Sequence, residues 1–512
     1  MDAVTLAVFS SRVAAICDEM GAVLRRTAFS PNIRDRLDFS CAVFDAKGAL
    51  TAQAAHIPVH LGSMAYAMGG VVRRFEWQPG DVVAFNDPFL GGTHLPDVTL
   101  VAPVFHAGEL VGFTANRAHH ADIGAASPGS MPLSRSLDEE GVVIPPTPLY
   151  RAGEPVAGEL EAITAATRNP RRARADFAAQ VSSVRTGARR LAELVERLGS
   201  GTYAASVTAL NDYAERLVGE TLRTLPDGRF TFTDLIDDDG QGSTDLPISV
   251  AVTLDGAEAR VDFTGSAAQV PGNVNCPLPV TAAAVYYVFR CLMPPQTPAC
   301  AGAFRPVALE APEGSLLHAR RPAAVAAGNV ETSTRVVDAV SGALAEAAPE
   351  RMPAASQGSM NNLALGGEGA DGERWDYYET VAGGAGAGPR GPGRDAVHTH
   401  MTNTLNTPVE ALEMAYPLRI RRYAIRRGSG GAGRHTGGDG VVREYELLAP
   451  AEGTLISERR RRGPWGQAGG QPGTAGTNRL NGEPLASKAA LSLGAGDRLT
   501  LETPGGGGWG QA

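Results

Sequence analysis

Lysine is nearly missing from this 512-residue chain: of its 46 basic residues, only Lys47 and Lys488 are lysines. That scarcity removes two chemistries. No GxxxxGK[ST] exists, so there is no P-loop to cradle ATP phosphates. A Schiff-base lysine is not expected, because Lys47 reads as a turn residue and Lys488 as part of a polar C-terminal segment. No GxSxG elbow occurs, which weighs against an α/β-hydrolase. The five cysteines (Cys17, Cys41, Cys276, Cys291 and Cys300) are widely spread and form no CxxC. Reduced thiols in a cytoplasmic protein are the simpler expectation. No apolar run reaches the ~18 residues of a membrane span, and the N-terminus has no basic region followed by an apolar one. Neither a transmembrane helix nor a secretory signal is expected. The net charge of −9 argues against nucleic acid as the main partner. Arg459-Arg460-Arg461-Arg462 is a local exception that reads as a solvated turn before Gly463-Pro464.

A chain this long exceeds one ordinary core, and two to four lobes are expected. Apolar residues recur at helical spacing over 4–28, and Ser30-Pro31-Asn32 ends that helix. A strand is expected over 37–44 and a second helix over 61–75. Residues 81–118 read as strand, glycine loop, strand, turn, strand. Residues 123–158 form a long irregular loop of functional or lid-like type. Residues 159–222 are helical and highly charged, and strands alternate over 229–265. Two buried helices are expected over 279–293 and 333–348, and a β-rich region with glycine turns from 415 onward. The pattern predicts a mixed, multi-lobed α+β fold with antiparallel β-sheets. Its divisions are 1–222, holding the site and the helical segment, 223–414, mixed α and β, and 415–512, β-rich.

The stretch Asn86-Asp87-Pro88-Phe89-Leu90-Gly91-Gly92-Thr93-His94-Leu95-Pro96-Asp97 organises the functional reading. Two strand-like segments follow it, joined at Ala107-Gly108. With that pair as the turn, Asp97 faces Ala118 and Pro96 faces His119, and directly paired Cβ atoms sit roughly 5 Å apart. His94 can fold back through the glycine-softened bend, where Gly91 and Gly92 permit positive φ and close backbone approach. His94, Asp97 and His119 therefore converge. Two imidazoles and a carboxylate suit a divalent ion such as Zn²⁺, Mn²⁺ or Fe²⁺, with positions left open for water or substrate. Asp38 is a candidate fourth ligand. His120 and Asp122 are candidates for catalysis, by orienting ligands from behind or by transferring a proton. The bland alternative is that His94 caps a turn and Asp97 accepts loop amides. His56 and His60 form an HxxxH interrupted by Pro58 and read as core or loop histidines. In His398-Thr399-His400, alternation puts both imidazoles on one face, for substrate contact or for structural hydrogen bonds. The Gly383–Gly388 cluster sits in no βαβ unit and reads as turns.

Taken together, these residues are recognisable. Asn86 to Thr99 with Arg117 to Asp122 resembles the hydantoinase B/oxoprolinase family. So do Leu37-Asp38-Phe39-Ser40-Cys41, His56 to Met64, Val261 to Ser266, Gly328-Asn329-Val330-Glu331-Thr332-Ser333, Tyr377-Tyr378-Glu379-Thr380 and His398 to Pro408. The resemblance spans nearly the whole chain. It implies a subunit of an ATP-dependent hydrolase that opens a cyclic amide such as hydantoin, 5-oxoproline or a lactam. It also implies a hydantoinase A-type partner subunit that binds the ATP, and hence a hetero-oligomer. The family's metal motif maps onto His94, Asp97 and His119, with Asp38 as a further ligand and zinc or manganese as the ion. Related subunits of ketone carboxylases make carboxylation an alternative, and a non-catalytic structural subunit is another.

Overall fold

The computed structural model describes residues 2–55, 57–369 and 372–512. His56, one half of the HxxxH, lies outside the described residues. The fold is α+β, with several antiparallel sheets and nine α-helices among the described residues. The one parallel pairing between named strands joins Glu258–Asp262 to Val307–Glu310. No described helix is long and apolar enough to cross a membrane.

The sheet that carries the site has seven strands. Across it run Leu50–Ala55, Phe39–Asp45, Glu109–His119, Asp97–His106, Val82–Phe85, Thr147–Arg151 and Glu154–Pro155. Both faces are covered, which is why its central strands read as nearly continuous apolar runs. Helices Ala3–Thr27 and Pro170–Leu198 lie on one face. Phe177, Val181, Val184, Leu191 and Val195 form the buried stripe of the second of these. Asn169 caps its start and accepts from the Arg172 amide at 3.1 Å. On the other face Met64, Met68 and Val71 of helix Pro58–Val72 pack on Phe44, Phe85, Val101 and Phe113. That helix is backed closely by Leu278–Leu292. A Cβ at Gly62 would stand 2.8 Å from the Ala283 Cα, so glycine is what allows the approach.

Segment 123–158, expected as a long irregular loop of functional or lid-like type, is woven into the molecule and is partly regular. It supplies the two edge strands Thr147–Arg151 and Glu154–Pro155 and buries Ser130, Ser134 and Glu140. The solvated turn expected at Arg459–Arg462 is half interior. Arg459 is buried between Asp234 at 2.7 Å and Asp338 at 2.6 Å, while Arg461 and Arg462 pair with Asp245 at the surface. Lys488 is likewise buried and donates to Glu458 at 2.6 Å. Charges go inside here because each meets an opposite charge.

Candidate metal centre

Asp97 opens strand Asp97–His106, and His119 closes strand Glu109–His119. The turn is Ala107-Gly108 as expected, with φ of 49° and 85°, the two positive values of a tight hairpin turn. The register differs from the simple count by one. Val104 pairs with Gly112 while Phe105 pairs with Leu110, so Val111 bulges out of the ladder. Asp97 consequently faces His119 rather than Ala118. The bulge brings the two candidate ligands directly opposite each other.

The glycine loop delivers His94. Gly91 has φ +111°, and a Cβ on Gly92 would collide with the Asn86 carbonyl. Asn86 clamps the loop, donating to the carbonyls of Leu95 at 2.8 Å and Val142 at 2.9 Å. Arg117, fully buried, ties loop, hairpin and helix together. It donates to Thr99 Oγ1 at 2.8 Å, Ser63 Oγ at 2.7 Å and the Gly91 carbonyl at 2.9 Å. Burial pushes its guanidinium down to about 10.

One ligand atom each from His94, Asp97 and His119 lie within 4.8 Å of one another, all buried. Asp97 Oδ1 is 3.2 Å from His94 Nε2 and 3.2 Å from His119 Nδ1. Asp97 Oδ2 accepts from Thr93 Oγ1 at 2.6 Å and Asn329 Nδ2 at 3.4 Å, and lies 3.3 Å from His60 Nε2. His94 Nδ1 donates to the Ala326 carbonyl at 3.3 Å. The His119 ring stacks on Tyr378, centroids 4.7 Å apart. Behind Tyr378 sits the Arg36 guanidinium, 5.0 Å from the ring centroid. His119 Nε2 is buried with no hydrogen-bond partner, and buried His94 Nε2 has only the Asp97 carboxylate beside it, without hydrogen-bond geometry. Such orphaned atoms cost about 1–3 kcal/mol each, and a cation among them would satisfy both. Two imidazoles and a carboxylate therefore fit a divalent ion.

The charge balance agrees. Burial disfavours charge on His94, yet Asp97 outweighs it and raises the imidazole above its ordinary value. Burial dominates at His119 and lowers it. Burial also opposes the Asp97 charge, but the surrounding imidazoles hold its carboxyl well below the usual range. Among the described residues Asp97 forms ion pairs with imidazoles alone, and an anionic carboxylate so placed attracts a proton or a metal.

The other expected residues are placed as follows. The carbonyl of Asp38 accepts from the His119 amide at 3.0 Å. Its carboxylate stands 3.9 Å from Arg36 and is not among the three mutually close ligand groups. His120 donates from Nε2 to Gln180 at 2.9 Å and packs on Phe177. Asp122 accepts from the amides of Gly124 and Arg168 and pairs with the Arg168 guanidinium at 3.2 Å. The partners of both lie outside the three-residue cluster. His60 is part of the site although the interrupting proline argued against it. Pro58 is the first residue of its helix, where proline is at home. His60 bridges Ser40 Oγ at 3.2 Å and Asp97. His398 and His400 do not share a face. His400 has φ +57° and turns to Tyr287 and Asp338, whereas His398 faces Arg36 and Glu379. Asn329, Ala326 and Tyr378 come from remote segments, and no local pattern marked their roles.

The hydantoinase B/oxoprolinase family pattern matches residues 2–512. The chain belongs to that family. It is 39% identical to 5-oxoprolinase 1 of Arabidopsis thaliana over 99% of its own length, but spans only 42% of that longer protein. It is 31% identical to the ATP-dependent caprolactamase of Pseudomonas jessenii, with a TM-score of 0.94, covering 100% of this chain and 91% of that one. Acetone carboxylase shares the fold at 17% identity and a TM-score of 0.89, over 98% of this chain and 74% of that one.

Proposed function

We propose that the chain is the metal-dependent subunit of an ATP-dependent cyclic-amide hydrolase. It completes ring opening of a substrate that an ATP-binding A-type partner has activated. The observation that carries this is the buried meeting of His94, Asp97 and His119, with two imidazole nitrogens left without a hydrogen bond. The caprolactamase, named for ATP-dependent action on a cyclic amide, matches along the whole chain. More than half of the Arabidopsis 5-oxoprolinase lies outside the match, which leaves room there for an ATP-handling portion. The missing P-loop of this chain fits the same division of labour.

His94, Asp97 and His119 would hold the ion, zinc or manganese, with Asp38 as the fourth ligand. When bound, it supplies Lewis acidity toward a carbonyl oxygen and a lowered pKa for water. The chain's own groups prepare that chemistry. The Ala326 carbonyl fixes the His94 tautomer so that Nε2 presents a lone pair. Thr93, Asn329 and His60 occupy Asp97 Oδ2 and leave Oδ1 to the site. Tyr378 holds the His119 ring in plane. Burial keeps bulk water from competing. His120 and Asp122 take the orienting part of their two expected roles, anchoring the hairpin end through Gln180 and Arg168.

The test is to purify the chain with its A-type partner, measure metal content, and assay ring opening of hydantoin, 5-oxoproline and caprolactam. About one metal ion per chain is expected, with ATP-dependent ring opening that His94→Ala abolishes. Ring opening that persists in metal-free His94→Ala overturns the proposal, as does a folded, active parent without metal.

A further inference from the structure

A cavity of about 60 Å³ lies beside the hairpin end, with Ser30, His120, Arg172, Arg374, Asp376 and Tyr416 in its wall. It is lined by residues from five separate segments, and each of its carboxylates has a hydrogen-bond or ion-pair partner. Asp176 accepts from the Phe29 and Ser30 amides at 2.7 and 3.1 Å. Asp122 is paired with Arg168. Asp376 accepts from the Gly129 amide at 3.3 Å and lies 3.9 Å from Arg168.

Some hydrogen-bond donors of the same wall are left for a ligand or for water. Arg172 and Arg374 are exposed side chains that make no ion pair and no side-chain hydrogen bond among the described residues. The Ser30 hydroxyl is buried without a partner, although the residue is only 6% exposed and stands before helix Pro31–Arg34, where it could have capped. The Tyr416 hydroxyl also makes no hydrogen bond among the described residues. The first turn of the 29-residue helix Pro170–Leu198 begins in this wall, at Asn169 and Arg172, and its dipole adds positive potential. A buried hydroxyl without a partner, beside two unpaired guanidiniums, is complementary to an anion.

We propose that this cavity binds a small oxyanion, a carboxylate or phosphate group, between the Arg172 and Arg374 guanidiniums, with the Ser30 and Tyr416 hydroxyls completing its coordination. The volume admits one such group and a water or two. Arg374, Asp376 and Tyr378 alternate onto one face of strand Arg374–Thr380. Tyr378 is the residue stacked on His119, and Asp376 lies ~7 Å from it along the strand. The anion site therefore flanks the metal centre. None of its groups is a ligand candidate, although His120 and Asp122 in its wall also anchor the hairpin end of the metal centre. The oxyanion has two sources: a carboxylate substituent on the cyclic amide, or free phosphate released by ATP cleavage.

Titration calorimetry on the whole chain, at fixed ionic strength, tests this with three probes: 5-oxoproline, inorganic phosphate, and 2-pyrrolidone, the same ring without its carboxylate. At least one anion is expected to bind saturably, and 2-pyrrolidone about tenfold more weakly than 5-oxoproline if the substrate is the source. Tighter binding of 5-oxoproline assigns the site to the substrate, and tighter binding of phosphate assigns it to the free anion. The double variant Arg172→Gln/Arg374→Gln is expected to weaken the preferred anion at least about tenfold, with melting temperature and metal content unchanged. Ser30→Ala is expected to weaken the same anion more modestly. His94→Ala is expected to leave anion binding intact, so failure of the metal assignment and failure of this one are separable. No saturable binding of either anion, or unchanged affinity in the double variant, overturns the proposal.

Discussion

Replacing Glu140 by alanine is expected to damage the metal centre from a distance. Glu140 touches none of the three ligand candidates. Its buried Oε1 accepts from Ser134 Oγ at 2.7 Å and from the amides of Val325 and Ala326, both at 2.9 Å. The carbonyl of that same Ala326 accepts from His94 Nδ1 at 3.3 Å. The carboxylate thus braces a peptide that orients a ligand. In Glu140→Ala, two buried amides lose their acceptor at about 1–3 kcal/mol each, while Ser134 can rotate to another partner. The peptide is expected to move, and loss of such an outer support lowers metal affinity by about 10–100-fold. Glu140→Gln is the discriminating control. Its carbonyl oxygen can still accept from both amides, and it deletes only a charge that burial already resists. Burial pushes the Glu140 carboxyl up to about 7, against hydrogen bonds from Ser134 and the two amides that favour the charge. At neutral pH the parent is therefore already partly protonated, and glutamine mimics that state. Apo-protein titrated with zinc or manganese against a chelator, with melting curves in parallel, measures both effects. The alanine variant binding metal as tightly as the parent would refute the bracing role. Glutamine proving as harmful as alanine would show that charge, not the braced peptide, is what matters.

Four further outcomes follow from the same structure. Arg117→Met strands the oxygens of Thr99, Ser63 and Gly91 and is expected to cost about 2–5 kcal/mol in urea unfolding; Arg117→Lys cannot reproduce the fork and is expected to recover only part of it. Gly92→Ala drives a Cβ into the Asn86 carbonyl and is expected to lower stability by about 1–3 kcal/mol and metal content with it. Gly108→Ala, with positive φ but open space around it, is expected to cost only about 1 kcal/mol and to leave metal content unchanged. Glu331, buried and facing Glu458, has its carboxyl pushed up to about 8 from 4.5. The folded state therefore holds that proton more tightly than the unfolded chain, and its stabilising contribution, full below about 4.5, is lost as pH rises through about 8. Glu331→Gln cannot ionise, so calorimetric melting from pH 5 to 8.5 is expected to move progressively in the variant's favour; a flat or opposite difference refutes the assignment.

What could be read from the sequence was what depends on near neighbours. The helices over 4–28 and 159–222 announce themselves by apolar spacing, and the hairpin by two apolar runs around Ala107-Gly108. The register missed by one because Val111, the bulged residue, looks like any other strand valine. Pro58 reads in the sequence as an interruption of the HxxxH, but it is the first residue of the helix, so His60 reaches the site. His398 and His400 were put on one face by strand alternation, and the left-handed backbone at His400 breaks that rule. The supports of the centre were not legible at all. Glu140, Ala326, Asn329 and Tyr378 reach it from segments far apart in the chain, and local periodicity carries nothing about such meetings.

The near absence of lysine, met first as an exclusion, bears on how the centre is kept rigid. Arg36, Arg117, Arg335 and Arg443 are among the largest fully buried side chains. A buried charge carries a desolvation cost of several kcal/mol unless it is paired and hydrogen-bonded. A guanidinium meets that condition where an ammonium would not, because its planar fork can address several acceptors in fixed directions. Arg117 spans helix Pro58–Val72, the glycine loop and the hairpin. Arg36 joins the start of the site-bearing sheet to Tyr378 and Thr380, and so fixes the strand on which His119 stacks. Arg335 and Arg459 share Asp234, and Arg459 also reaches Asp338, joining three remote segments. Loops that cannot pack a large apolar side chain beside a polar site are held in register by these forks. Other buried polar atoms also lack hydrogen-bond partners, at His398 and Arg443 among them. What sets His94 and His119 apart is that they converge with Asp97 within 4.8 Å, and that meeting marks the position at which a cation completes the structure.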